Sequence, residues 1–118
     1  MTAVSAKDGR RTFYESKASS SFYEKHARHN KAGHAVGITV KTVALDSYLA
    51  KKRITSLRFI KIDAEGAELE VLQGAIRILS SSKAPDLMIE IDDRYLRNGG
   101  SSEADLLSFL KKLGYQAY

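Results

Sequence analysis

An apolar strand that runs directly into an acidic, glycine-containing turn is the feature that most constrains this chain. Residues 57–62 are strongly apolar, and residues 63–66 read Asp-Ala-Glu-Gly. A helical pattern follows over residues 65–80. Its apolar positions recur at steps of three and four, at Leu69, Leu72, Ile76 and Leu79. A strand joined this closely to an amphipathic helix predicts an α/β fold, in which the helix packs on a sheet.

The remainder of the second half continues the alternation. Residues 87–91 are a second apolar strand, and Ser102 with Asp105 forms a capping box for a last helix that stops at Gly114. Residues 115–118 are expected to begin another strand. This order predicts a mostly parallel sheet with right-handed crossovers and flanking helices. No repeat or linker divides the sequence, so we expect one domain over residues 1–118.

The first half gives weaker signals. The predicted elements are a strand end at 3–5, a turn at 7–10, a returning hairpin strand at 11–15, a long loop at 16–37 and a half-exposed strand at 36–40. Asp46 is expected to N-cap a short helix that ends near Lys52.

Composition narrows the class of protein. The chain has no Cys, which excludes disulfides and thiolate metal sites, and no apolar run long enough to span a bilayer. The N-terminus has no signal-peptide pattern, so we expect a soluble cytoplasmic protein. The net charge of +5 comes from the first half, but its basic residues are scattered. Nucleic-acid binding is therefore the least favoured function.

Several carboxylates follow the two central strands. Asp63 and Glu65 come after the first strand, and Glu90, Asp92 and Asp93 lie at the end of the second. If these strands are parallel neighbours, the carboxylates share the sheet edge where α/β proteins bind ligands, and they could accept a proton, orient a hydroxyl or hold a cation.

Structural roles remain open for the same residues. Asp63 can equally cap the following helix, Glu65 and Glu68 can complement the helix dipole, and Asp92 can be an ordinary loop residue. The three histidines, His26, His29 and His34, match no tight metal-ligand spacing, so no metal is expected.

The sequence resembles the FkbM-type methyltransferase family over nearly its whole length. The resemblance is strongest in the acidic turn and the helix after it. The matching residues are Leu45, Asp46, Lys61, Ile62, Asp63, Glu65, Gly66, Glu68, Val71, Leu72, Gly74 and Ala75. Residues 3–9, Ile89 with Glu90, and residues 113–115 also resemble the family. Ala44 replaces the family's usual threonine.

The resemblance implies S-adenosylmethionine as the cofactor and methyl transfer to a hydroxyl. The acceptor would be a small molecule, a glycan or a lipid. Asp63 and Glu65 would be catalytic, and Ala3 and Val4 would join Asp63 on the cofactor side. Glu90 and Asp92 would lie on the acceptor side.

The resemblance also implies the C-terminal half of a Rossmann-like class I methyltransferase sheet. The family's Gly-rich turn and second-strand acid have no counterpart in residues 1–118. We therefore expect a truncated domain that is inactive in isolation and self-associates through an exposed sheet edge. The alternative is a non-catalytic remnant or interaction module of the same fold.

Overall fold

The computed structural model describes residues 1–15, 20–23 and 36–118. Within them, the strands are β1 (Thr2–Val4), β2 (Gly9–Glu15), β3 (Val36–Val43), β4 (Phe59–Ile62) and β5 (Asp86–Ile89). The helices are α1 (Leu45–Lys52), α2 (Glu68–Gln73), α3 (Ile76–Leu79), α4 (Asp93–Asn98) and α5 (Glu103–Lys112). Most of the predicted loop at 16–37, with its three histidines, lies outside the described residues. No described helix has the length and apolar character needed to cross a membrane.

The described strands form two sheets, and the small α/β fold has less parallel character than predicted. Strand β3 lies between β1, to which it is parallel, and β2, to which it is antiparallel. The predicted pairing of residues 3–5 with residues 11–15 is therefore wrong. Strand β2 pairs with β3 from Gly9↔Thr42 to Glu15↔Val36. Because β3 lies between β1 and β2, both of its edges are hydrogen-bonded. A direct β1–β2 hairpin would leave one edge of β3 without a partner strand.

The second sheet confirms the parallel pairing that was predicted for the two apolar strands. Strand β4 pairs with β5 in parallel, from Phe59↔Asp86 to Ile62↔Ile89. The connection between them contains α2 and α3, as a parallel crossover requires. Helix α1 joins the first sheet to the second, and its Leu49 is buried in the core.

The helix predicted over residues 65–80 is wrong at its start and its middle. It begins only at Glu68, because Glu65 and Gly66 have positive φ angles. It is also interrupted between α2 and α3. At Gly74 a Cβ atom would lie 2.2 Å from the carbonyl oxygen of Ser5, so the chain passes close to the end of β1 there.

Asp46 does not have its predicted capping role. Helix α1 has Ala44 at its N-cap with no side-chain cap. The Asp46 carboxylate instead accepts hydrogen bonds from the backbone N–H groups of Arg77 and Ile78, at 2.7 and 3.0 Å. It thus caps α3, which begins after the break at Gly74.

The last helix is confirmed, but the strand predicted after it is wrong. Ser102 Oγ accepts from the N–H of Asp105 at 3.2 Å, and Gly114 has a φ of 88°. Residues 115–118 pair with no described strand. The Tyr115 hydroxyl instead donates to the carbonyl of Pro85, the residue before β5, at 2.9 Å.

Two apolar clusters form the core. The larger is centred on Leu72, Leu79, Leu96 and Leu106, each 0–1% exposed. The smaller consists of Phe22, Val40 and Ala67 and lies beside the three-stranded sheet. Ala64 packs against both clusters. The acidic turn is therefore at the junction of the two halves of the fold.

Candidate functional site

The carboxyl ends of β4 and β5 bring two of the predicted residues together. Ile62 and Ile89 are the last registered pair, so Asp63 and Glu90 follow it on neighbouring strands. The N–H of Glu90 donates to the carbonyl of Ile62 at 3.0 Å, which continues the ladder by one residue. Both side chains belong to exposed residues. This edge therefore presents two carboxylates to solvent.

Asp63 does not cap the helix that follows it. Its carboxylate accepts from Lys61 Nζ at 3.3 Å, in a pair whose side chains are 57% and 43% exposed. Such an exposed pair contributes little to stability. The N–H of Gly66, a donor that a capping Asp63 would bind, donates to Glu68 instead. The Asp63 carboxylate is thus accessible to a ligand.

Glu65 lies in a tight turn with an unusual backbone. The N–H of Ala67 donates to the carbonyl of Ala64 at 3.1 Å, and the two residues between have φ angles of 50° at Glu65 and 97° at Gly66. Positive φ at both central positions is the pattern of a type I′ turn. Glycine adopts it freely, but a residue with a Cβ atom does so at a cost of about 1–2 kcal/mol. The turn must therefore be held by its surroundings.

Glu68 stabilises the turn through hydrogen bonds to its backbone, a role that the sequence analysis did not predict. The residue is 3% exposed. Its Oε1 accepts from the N–H of Ala64 at 3.0 Å and from the N–H of Gly66 at 3.1 Å. The position of Glu68 in the sequence could have indicated this role, because a glutamate in the first turn of a helix commonly accepts hydrogen bonds from N–H groups that precede the helix.

A polar cluster around Glu70, in the helix that follows the turn, is a further feature that the sequence did not reveal. Glu70 accepts from the Tyr23 hydroxyl at 2.6 Å, from Ser5 Oγ at 3.0 Å and from the Arg11 guanidinium. The Arg11 guanidinium also stacks 4.6 Å from the ring centroid of Phe22. The cluster joins β1, β2 and the segment at 20–23 to helix α2.

The cluster shifts the acidity of its members. Burial alone would raise the pKa of Glu70, but hydrogen bonds from Tyr23, Arg11 and Ser5 outweigh it and leave that pKa below its ordinary value. Burial, with the hydrogen bond to Glu70, raises the pKa of Tyr23. Near neutral pH the cluster therefore contains a carboxylate, a guanidinium and a neutral phenol.

The segment at 20–23 and Gly99 enclose the acidic turn. Ser21 Oγ donates to the carbonyl of Glu65 at 3.1 Å. A Cβ atom at Gly99 would lie 2.6 Å from the carbonyl oxygen of Gly66 and 2.9 Å from the ring of Tyr23. The turn is thus packed between two backbone segments that are distant in sequence.

Asp92 and Asp93 have structural partners. Asp92 caps α4 by accepting from the N–H of Arg94 at 2.9 Å, and it also pairs with that guanidinium. The hydrogen bonds from Arg94 lower the pKa of Asp92 to about 2. Asp93 accepts from the N–H of Glu103 and from Arg97, which lower its pKa. Both residues therefore help to join and cap α4 and α5.

Ala3 and Val4 lie in β1, in the other sheet. Ala3 packs against the smaller core cluster, which contains Ala67 from the end of the acidic turn. Val4 is 37% exposed. Ala3 is thus part of the core beside the first sheet, whereas Val4 faces outward.

Two of the open cavities among the described residues do not include Asp63 or Glu65. One of about 490 Å³ lies between residues 5–11, Thr42 and the α2 residues Glu70 and Gln73. The other, of about 1120 Å³, is an apolar groove between β5, α5 and residues 114–118. Among the described residues, no cluster of His, Asp or Glu has the arrangement of a metal site.

Comparison with known proteins identifies the family. The model of the methyltransferase FkbM domain matches residues 2–117, nearly the whole chain. No curated protein and no solved structure matches it. The match includes both sheets, the acidic turn and the Glu70 cluster. The chain therefore belongs to the FkbM methyltransferase domain family.

Proposed function

We propose that this chain acts in S-adenosylmethionine-dependent methyl transfer to a hydroxyl group. Family membership supports methyltransferase activity. The observation that carries the finer proposal is the pair Asp63 and Glu90, exposed side by side at the carboxyl ends of two parallel strands. In open α/β sheets, ligands bind at this edge.

The residues at this edge fit such a cofactor by their chemistry. S-adenosylmethionine carries an ammonium group and ribose hydroxyls, which are donors, and the carboxyl oxygens of Asp63 are acceptors. Ala3, small and packed against the smaller core cluster, and the partly exposed Val4 would border the cofactor side. When bound, the cofactor supplies an electrophilic methyl group.

The protein's own part in the reaction is to orient the acceptor and receive its proton. Asp63 would accept a hydrogen bond from the acceptor hydroxyl and take its proton as the oxygen is methylated. Glu65, fixed in the turn beside it, would orient the acceptor or share the base role. Glu90 would bind a further donor on the acceptor side. Asp92, also expected there, is already paired with Arg94, so Glu90 is the stronger candidate. A small molecule, glycan or lipid hydroxyl satisfies this chemistry.

We further propose that residues 1–118 contribute the acceptor-side half of a Rossmann-like methyltransferase sheet. Support comes from the parallel β4–β5 pair with its helical crossover, and from the absence of a Gly-x-Gly-x-x-Gly sequence in these residues. The alternative is a non-catalytic interaction module. Calorimetry of the 118-residue chain with S-adenosylmethionine tests the half-site proposal, because a micromolar Kd would contradict it.

The catalytic role of Asp63 is tested by Asp63→Ala. We expect methyl transfer to fall by about 100-fold or more, the usual contribution of a positioned acid or base. The melting temperature should stay unchanged, because Asp63 forms only an exposed ion pair among the described residues. The matched control is Asp86→Ala, an exposed aspartate at the opposite end of the same sheet.

The assay is transfer of a labelled methyl group to hydroxyl acceptors by the protein expressed from its own gene. Full activity of Asp63→Ala would refute the role of Asp63. An equal loss in Asp86→Ala would show that the effect is not specific to the carboxyl edge.

A further inference from the structure

We propose that Glu68 is a positioning residue, which holds the acidic turn in its left-handed shape and thereby fixes Asp63 and Glu65 at the sheet edge. The inference rests on the proposed function for its catalytic consequence, but not for its structural content. Glu68 itself is buried and cannot be the exposed base.

Both hydrogen bonds of Glu68 go to the backbone of the turn. Its Oε1 accepts from Ala64, which directly follows Asp63, and from Gly66, which directly follows Glu65. A single carboxylate oxygen therefore binds the N–H groups on either side of Glu65. With the Ala67-to-Ala64 hydrogen bond, this closes the turn at three points.

Helical geometry alone does not require this arrangement. Ala64 and Gly66 precede α2, so their N–H groups have no helical acceptor and need another partner when buried. Gly66 is a buried residue, so its N–H would be left without an acceptor if Glu68 were removed. The left-handed φ at Glu65 is unfavourable by itself, so loss of these bonds should release it.

The second carboxylate oxygen of Glu68 indicates whether the length of the side chain or its charge holds the turn. Glu68 Oε2 is buried and has no hydrogen-bond partner among the described residues. The side chain therefore acts on the turn by placing one acceptor oxygen, Oε1, within hydrogen-bond distance of the two backbone N–H groups. Glutamine keeps that reach and an acceptor oxygen without the charge. Aspartate keeps the charge but is one methylene shorter.

Amide hydrogen exchange of the 118-residue chain tests the proposal without any enzymatic activity. We expect the Ala64 and Gly66 amides to exchange at least about 10-fold faster in Glu68→Asp than in the wild type, while Glu68→Gln retains most of their protection. Ile78→Val, which removes one methylene from a buried side chain of the core, is the control for general destabilisation. Exchange rates unchanged in Glu68→Asp, or faster in Glu68→Gln than in Glu68→Asp, would overturn the proposal.

The catalytic consequence is measured on the protein expressed from its own gene. Glu68→Asp should lower kcat by about 10-fold with little change in the KM for the acceptor, and Glu68→Gln should recover most of it. If the Ala64 and Gly66 amides of Glu68→Asp exchange faster but its kcat is normal, the positioning role of Glu68 is overturned. Absence of methyl transfer in the wild type would count against the proposed function alone, because the exchange result still decides whether Glu68 holds the turn.

Discussion

Gly99→Ala is the substitution that tests most directly how tightly the acidic turn is packed. The backbone at Gly99 has φ −81° and ψ −1°, which any residue adopts, so only space is at issue. The new Cβ would lie 2.6 Å from the Gly66 carbonyl oxygen and 2.9 Å from two atoms of the Tyr23 ring. The first distance is about 1 Å inside optimal non-bonded contact. Either the turn or the tyrosine must move.

The magnitude follows from the cost of overpacking, which is about 1–3 kcal/mol for one added methyl group in a closed site. For a chain of this size, that corresponds to a decrease in Tm of about 4–12 °C. Gly100→Ala is the matched control. A Cβ at Gly100 meets nothing within 4 Å, but φ is +84°, so alanine there costs about 1–2 kcal/mol through backbone strain alone.

The two variants should therefore lose comparable stability but differ at the turn. Thermal denaturation measures the first effect, and amide NMR spectra measure the second. We expect the resonances of Gly66 and its neighbours to shift in Gly99→Ala and to stay in place in Gly100→Ala. Unchanged Gly66 resonances and an unchanged Tm in Gly99→Ala would refute the close packing of the turn.

Two further predictions concern the Glu70 cluster and the sheet edge. The pKa of Glu70 in the folded state is lowered from its ordinary value of 4.5. The ionised carboxylate therefore stabilises the fold above pH 4.5, and this stabilisation is lost as the pH falls through the folded-state pKa. Urea unfolding from pH 6 to pH 3 should therefore show a smaller loss of stability in Glu70→Gln than in the wild type, and equal losses would contradict this. Strand β5 pairs only with β4 among the described strands, and Leu107 in the groove beside it is 38% exposed, so we expect two copies of the chain to associate along this edge. Sedimentation velocity should show association that increases with concentration and is reduced by Leu107→Lys, and a concentration-independent monomer would count against it.

Much of the second half could be predicted from the sequence, because its signals are local. The apolar runs that became β4 and β5 needed no distant partner to be recognised, and the Ser102 capping box and Gly114 stop use residues within one helix. The adjacency of Asp63 and Glu90 followed from the same runs, since parallel neighbours align their carboxyl ends.

Errors occurred where a distant contact decided the outcome. Asp46 caps a helix 31 residues away rather than its own. The predicted helix over residues 65–80 breaks at Gly74, where the end of β1 approaches. The order of the first sheet depends on pairing between β2 and β3, whose connection includes residues outside those described.

The sequence by itself determined the α/β class, the acidic turn between a strand and a helix, and the family resemblance that the domain match confirmed. Tertiary structure alone decided what each acid does. Asp63 is exposed at the edge, Glu68 is buried against the backbone of the turn, and Glu70 in the helix binds Arg11 of the first sheet. The physical reason is that burial and hydrogen-bond partners, which set the role of a carboxylate, come from segments distant in sequence.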